Sequence, residues 1–144
     1  MRKQTYTMIV AVLALGCVTV SANAQCGSIP LIAKIPFQFS IRDATLPAGE
    51  YVVKCLDPNR HQLLFQSTDG KAAAIMPMIL VSGKLDGGMR LVFHRYGRRY
   101  FFVQAWADGN NGLELPTTRA ESAAARELAG IEPKRETIVR TARR

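Results

Sequence analysis

The sequence predicts a mainly β protein: a small antiparallel β-sandwich or barrel of about 6–8 strands, with one short helix near the C-terminus. Three observations lead to this fold class. Apolar and polar residues alternate with the period of two that half-buried strands require. Turn-forming glycine, proline, asparagine and aspartate residues recur every ~8–12 residues. The one convincing helical pattern comes late in the chain, after Pro116.

The first predicted strand is IPFQFSI, residues 35–41, which places Ile35, Phe37, Phe39 and Ile41 on one face. The RDATLPAGE sequence then forms a turn, because proline and glycine favour the backbone angles that turns need. Similar turns separate the next three predicted strands, which are residues 51–56 (YVVKCL), 62–67 (QLLFQS) and 71–81 (KAAAIMPMILV). The third of these strands is expected to bend or bulge at Pro77.

LVFHRYGRRYFFVQAW, residues 91–106, is predicted to form a hairpin. A two-residue turn at residues 97–98, with glycine first as a type II′ turn requires, pairs Phe93 with Phe102. The apolar face that this register buries consists of Leu91, Phe93, Tyr100, Phe102 and Trp106. A three-residue turn would shift the pairing by one residue and form a polar-aromatic wall instead. The ligand-contacting candidates on that wall are His94, Tyr96, Tyr100 and Trp106.

A helix is predicted over residues 118–129. Thr118 and Glu121 match the capping box of a helix N-terminus, and Gly130 is placed to end the helix. The thin apolar stripe of this helix, which is expected to pack lightly against a sheet, consists of Ala120, Ala124 and Leu128. The β-branched alternation of ETIVRTA, residues 136–142, favours a last strand.

Residues 1–24 are predicted to be a secretory signal peptide, with cleavage between Ala24 and Gln25. Arg2 and Lys3 precede an apolar run from Met8 to Val20, and small residues precede the cleavage position. That run is too short to span a bilayer comfortably. Residues 25–144 are therefore predicted to form a single β-rich domain without a transmembrane segment. An uncleaved anchor and a lipid attached at Cys17 are the alternatives.

The predicted mature chain keeps two cysteines, Cys26 and Cys55. An even pair in an exported protein favours a disulfide. The bond would close a loop whose length makes it worth about 3.5 kcal/mol in the chain-entropy view. Cys55 could instead be a small buried apolar residue.

The formal net charge is +8, and much of it comes from a basic tail at residues 133–144. Such a tail either contacts an anionic surface of the cell envelope or forms a solvated end. Residues 98–105, RRYFFVQA, partly match an aromatic RNA-binding strand, but Arg99 and Phe101 stand where that pattern has small residues. Before residue 117 the chain also lacks the helices that the RNA-binding fold needs between its strands. We therefore predict no nucleic-acid partner.

No familiar catalytic signature occurs in the chain, which lacks Gly-x-Ser-x-Gly, His-Glu-x-x-His, a phosphate-binding glycine loop and Cys-x-x-Cys. Its two histidines, His61 and His94, exclude a three-histidine zinc site. DGNNGLE, residues 108–114, has oxygen ligands but not the spacing of a calcium loop. No catalytic residue, metal site or cofactor is predicted.

Several segments occur together in a recognisable order: IPFQF, TLPAGEYVV, TDGKAAA, LVFHRYG, YFFVQAW and ELPTTRAESAAARELA. Over residues 35–138 the chain resembles a family of small secreted bacterial proteins of unknown function. The resemblance implies export and one compact, mostly β domain with a late helix. It implies no activity and no catalytic residues.

The expected function is that of an exported, non-enzymatic β domain, a binding or structural module of the periplasm or envelope. Its partner would be a protein, a glycan or a small apolar ligand. Two alternatives stay open. One is a lipid or small-ligand carrier in a small barrel, with Tyr96, Tyr100 and Trp106 lining the cavity. The other is an exported hydrolase that uses His94.

Overall fold

The computed structural model of the protein describes residues 31–84, 88–107, 110–128 and 133–139. It confirms the mainly β fold class, with sandwich-like sheets rather than a closed barrel in this part of the chain. The elements are β1 (Leu31–Ile35), β2 (Phe39–Ile41), β3 (Ala44–Leu46), β4 (Gly49–Asp57), β5 (Gln62–Ser67), β6 (Ala73–Pro77), β7 (Ile79–Ser82), β8 (Arg90–Tyr96), β9 (Arg99–Trp106), β10 (Asn111–Glu114), α1 (Arg119–Glu127) and β11 (Lys134–Val139).

The strands form two sheets. Sheet A has the antiparallel order β1-β4-β5-β6, and sheet B has the order β11-β8-β9-β10-β7. The short β2–β3 pair is attached to sheet B by a parallel bridge between Ser40 and Phe101. Hairpins and meanders of this kind bury one face of each sheet and leave the other facing outwards.

Aromatic rings fill the space between the two sheets. The ring of Phe39 lies 5.3 Å from those of Tyr51 and Phe93, centroid to centroid, and Phe65 lies 4.7 Å from Phe102. These are edge-to-face contacts, the geometry that the charge distribution of aromatic rings favours. Their aliphatic neighbours in the core include Leu31, Ala33, Ile35, Val53, Leu63, Met76, Leu91 and Leu113.

Two predicted strands are each split in the structure. Residues 35–41 contribute the end of β1 in sheet A and all of β2 in sheet B, so the chain crosses between the sheets at residues 36–38. Residues 71–81 cross in the same way, from β6 to β7, after Pro77. Proline has no N–H to continue a ladder, and the predicted bend therefore becomes a change of sheet. The buried Met78 lies at this crossing.

The hairpin of β8 and β9 has the predicted two-residue turn. Phe93 pairs with Phe102, and Gly97 has a φ of +61°. The register then shifts at a β-bulge, so that Val92 pairs with Gln104 and Val103 is the extra residue. An extra residue reverses the face of every side chain beyond it. Trp106, which was expected in the core, therefore lies on the outer face of sheet B.

Helix α1 begins after the predicted N-cap, Thr118, whose hydroxyl accepts a hydrogen bond from the Glu121 N–H. It ends at Glu127, and the predicted cap Gly130 lies outside the described residues. Six residues of the predicted basic tail, Lys134–Val139, form β11 and pair with β8. That part of the tail is an edge strand.

The predicted signal peptide, its cleavage position and Cys17 lie outside the described residues. Among the residues that the structure does describe, no helix is long and apolar enough to cross a membrane.

Candidate functional site: the His94–Glu121–Tyr96 cluster

Glu121 is the one charged side chain that is buried in the described part of the chain, with 4% of its surface exposed. It lies in the first turn of α1, on the side that faces sheet B. An isolated carboxylate is costly to bury, and such a group is normally found with hydrogen-bonding partners. The hydrogen-bonding partners of Glu121 therefore define the candidate site.

Two side chains of β8 donate hydrogen bonds to the same carboxylate oxygen. The Nδ1 of His94 lies 2.8 Å from Oε1 of Glu121, and the hydroxyl of Tyr96 lies 3.3 Å from it. Because a carboxylate only accepts, Nδ1 of His94 must carry the proton. A neutral His94 therefore has its lone pair on Nε2. The side chain of His94 is 27% exposed, so solvent reaches part of the imidazole.

The carboxylate also affects the tyrosine. Burial raises the pKa of Tyr96 above its ordinary value, and the charge and the hydrogen bond of Glu121 raise it further. All three causes oppose the formation of a phenolate in this position. Tyr96 is therefore a hydrogen-bond donor to Glu121 and a poor candidate for a nucleophile.

Helix α1 covers this cluster with a narrow contact face. Ala124 is buried against Tyr96 and Phe101, and Leu128 packs beside them. Together with Glu121 they follow the spacing that puts side chains on one helical face. Arg99 and Glu127 form an ion pair at the exposed rim. Glu121, rather than the predicted Ala120, begins the stripe, and Ala120 is exposed.

The predicted ligand wall is not assembled as a group of four. His94 and Tyr96 lie together beneath α1. Tyr100 lies on the opposite face of the sheet, where its ring stacks on Phe37 with centroids 3.8 Å apart. Trp106 shares the outer face with His94, but it packs in a separate cluster with Val92 and Val103. The two-residue turn separates Tyr100 from the group, and the bulge controls the position of Trp106.

Cys55 is half-buried against the core and is disulfide-bonded. Cys26 lies outside the described residues, so the Cys26–Cys55 pairing stays a prediction.

No family model, curated protein or solved structure matches this chain. The resemblance to the family of small secreted bacterial proteins thus stays a prediction. Within the described ranges, no group of three or more histidine, cysteine, aspartate or glutamate side chains is arranged to hold a metal ion.

Sequence reasoning missed the role of Glu121. The capping box identified it as a helix-start residue, which is correct, but that pattern is usually met on exposed surfaces. Its pairing with His94, which lies 27 residues earlier in the chain, depends on how α1 docks against sheet B. The available signal was the glutamate itself, because it occupies the helical face that also carries Ala124 and Leu128.

Proposed function

We propose that the protein is an exported, non-enzymatic β-sandwich module of the cell envelope that acts by binding through its outer surface. The observation that carries the proposal is that Glu121, a buried carboxylate, is used to attach α1 to sheet B. Its hydrogen bonds to His94 and Tyr96 hold a helix in place, which is a structural task. Export is inferred from the predicted signal peptide at residues 1–24.

The filled interior also favours a module that binds at its surface. The position between the sheets where a carrier would hold its ligand is occupied by Phe39, Phe65, Phe93 and Phe102. Leu91 is fully buried with them. The carrier alternative, with Tyr96, Tyr100 and Trp106 around one cavity, has no support from the described residues, because these three side chains belong to three different clusters.

One observation favours the hydrolase alternative. A carboxylate at Nδ1 of His94 orients the imidazole and leaves Nε2 as a base, which is the arrangement of a histidine general base. Hydrolysis would then require His94 to take a proton from water or from a hydroxyl nucleophile. The hydrogen bond that His94 makes within the described residues is the one to Glu121, so a nucleophile would have to come from elsewhere.

One set of measurements tests export. The full chain is expressed in a bacterium with two membranes, recovered from the periplasm and weighed intact without reductant. We expect the mass of residues 25–144, lowered by about two mass units for a disulfide. An unprocessed chain that stays in the cytoplasm would contradict export, and a lipid-sized mass increase on a chain beginning at Cys17 would support the lipoprotein alternative.

A second set tests the absence of enzyme activity. The purified protein is assayed with ester, phosphate, glycoside and peptide substrates beside His94→Ala and the matched control His61→Ala. His61 is the other histidine and lies in the β4–β5 turn. We expect no turnover above that of buffer from any of the three proteins. Turnover that is lost in His94→Ala and kept in His61→Ala would overturn the proposal in favour of a hydrolase.

A further inference from the structure

A surface pocket of about 410 Å³ lies where three segments of the chain meet. Its walls are the β2–β3 turn at residues 42–43, Pro77 at the crossing from β6 to β7, and residues 115–119, which lead from β10 into α1. Pockets that bind small molecules usually have volumes of about 300–1,000 Å³. None of the four predicted ligand-wall residues lines this pocket. It is therefore a different site from the predicted wall and is large enough for a small ligand.

The fold fixes the frame of this pocket. Leu115 is buried, and its N–H donates to the carbonyl of Val103 at 2.8 Å. Thr118 is held in place as the N-cap of α1. Pro77 and Pro116 have restricted backbones, because the ring of proline fixes φ. A pocket that is already formed binds its ligand without the cost of ordering its walls.

Arg42 has a backbone conformation that is strained for residues other than glycine. Its φ is +52°, at the first position of the two-residue turn between Ile41 and Ala44. Glycine is the preferred residue where the first φ of a hairpin turn is positive. The arginine that stands there instead lines the pocket. A strained residue at a pocket indicates that its side chain has a use there.

The charged groups of the pocket are not paired within the described part of the chain. Arg42, Asp43 and Arg119 line the pocket, and their side chains make no ion pair or hydrogen bond with a described residue. Arg60 and Arg99, in contrast, each pair with a carboxylate. Two guanidinium groups and one carboxylate leave one positive charge in excess. The pocket therefore suits a ligand with one negative group and with a hydrogen-bond donor for Asp43.

We propose that this pocket binds an apolar α-amino acid as a zwitterion. Arg42 and Arg119 bind the carboxylate, because the fork of N–H groups of arginine matches the two oxygens of that group. Asp43 accepts hydrogen bonds from the ammonium group. The ligand carries its two charged groups on one carbon atom, and Arg42 and Asp43 are likewise neighbours in the turn. The inference rests on the binding role proposed above and names the ligand class for it.

The uncharged walls favour an apolar side chain on the amino acid. Leu115, Pro77 and Pro116 line the pocket beside the charged groups. Burial of the apolar part of a ligand against such residues is favourable. A phosphate group suits the pocket less well, because its second negative charge would face the carboxylate of Asp43.

Titrations followed by NMR test the ligand class. The purified, isotope-labelled protein is titrated with L-leucine, with L-leucinamide, which lacks the carboxylate, with isocaproate, which lacks the ammonium group, and with inorganic phosphate. We expect L-leucine to shift the amide signals of residues 42–43 and 117–119. It should bind about tenfold more tightly than each of the other compounds, which is the usual effect of a hydrogen bond to a charged group.

Variants separate binding from folding. Arg42→Gly should weaken L-leucine binding about tenfold and keep a melting temperature near that of the wild type, because glycine adopts a positive φ without strain. The matched control is His61→Gly, which changes the other described non-glycine residue with a positive φ, at +49°, and lies outside the pocket. Arg119→Gln should also weaken binding about tenfold, whereas Arg126→Gln, on the same helix, should not. Asp43→Asn should weaken the binding of L-leucine but not that of isocaproate.

Any of four results would overturn the proposal. These are no shift at the pocket with L-leucine, binding of another of the tested compounds as tightly as L-leucine, unchanged binding in both Arg42→Gly and Arg119→Gln, and an equal loss of binding in the His61→Gly and Arg126→Gln controls. Each of them concerns the ligand alone. The proposed non-enzymatic role of an exported protein fails by different results, namely turnover that depends on His94 or a chain that stays in the cytoplasm.

Discussion

The indole of Trp106 lies directly over Gly112. A Cβ atom added to Gly112 would lie 2.7 Å from Cδ2 and Cε3 of the indole ring, closer than real Cβ atoms approach other atoms. Gly83 lies beneath another part of the same ring, at 3.0 Å from Cη2 by the same construction. Aromatic rings commonly cover glycines on neighbouring strands in this way.

Gly112→Ala should destabilise the protein by about 1–3 kcal/mol, because the added methyl group displaces a packed ring. Trp106 is the only tryptophan in the chain, so its fluorescence reports both the local displacement and the unfolding transition. The matched control is Gly88→Ala, where an added Cβ meets nothing within 4 Å. Equal stability of the two variants in urea titrations would show that the ring does not rest on Gly112.

Glu121→Ala should destabilise the protein by about 1.5–3 kcal/mol, because it removes hydrogen bonds from His94 and Tyr96 to a charged group. Glu127→Ala provides the comparison, since it removes a glutamate from the same helix at an exposed ion pair with Arg99. Exposed pairs of this kind contribute about 0–1 kcal/mol. Both free energies of unfolding can be measured by urea titration, and a larger loss in Glu127→Ala would contradict the central role of Glu121.

Stability should fall at alkaline pH as Tyr96 loses its proton. Its folded-state pKa is raised above the ordinary value of about 10. The folded state therefore holds this proton more tightly than the unfolded state, so the contribution is complete below pH 10 and is lost as pH rises through the folded-state pKa. Burial and the charge of Asp69 raise the pKa of Tyr51 in the same direction.

Tyr96→Phe separates the two effects of this hydroxyl. The variant should be less stable than the wild type at pH 8, because Glu121 loses a donor, and its stability should decline less steeply above pH 10. Tyr100→Phe, on the opposite face of the sheet, is the control. The measurement is the free energy of unfolding between pH 8 and pH 11, and a slope in Tyr96→Phe as steep as that of the wild type would contradict the prediction.

Protonation of Asp69, in the β5–β6 turn, should lower the stability of the protein at acid pH. The hydroxyl of Ser67 donates to Asp69 Oδ1 at 2.6 Å, and the N–H of Lys71 donates at 3.0 Å. These bonds lower the pKa of the carboxyl. The stability that they contribute is present above the ordinary pKa and is lost as pH falls through the lowered folded-state pKa. In Asp69→Asn this part of the acid transition should disappear, whereas Asp43→Asn should leave it in place; urea titrations between pH 2 and pH 6 provide the comparison.

Local sequence patterns predicted the features of the fold that are set by residues close together in the chain. Alternation identified the inward faces of the strands, and Gly97 identified the hairpin turn. The face of Trp106 was wrong because one extra residue, Val103, reverses every later side chain, and no local composition marks that insertion. Glu121 lies on the helical face of Ala124 and Leu128, which is a signal for its burial, but its pairing with β8 could not be predicted, since it depends on which strand receives the helix. The edge position of β7 is likewise a property of the strand order, which alternation does not encode.

The chain crosses from sheet A to sheet B twice, between β1 and β2 and between β6 and β7. Neither sheet can move away from the other without stretching these two connections and exposing the aromatic rings between the sheets. The two sheets should therefore open as one cooperative unit, with the slowest amide protons of β5 and β9 exchanging through the same event. Such a domain resists partial opening, and a protease that cuts folded proteins at local openings would have to wait for the whole sandwich to unfold.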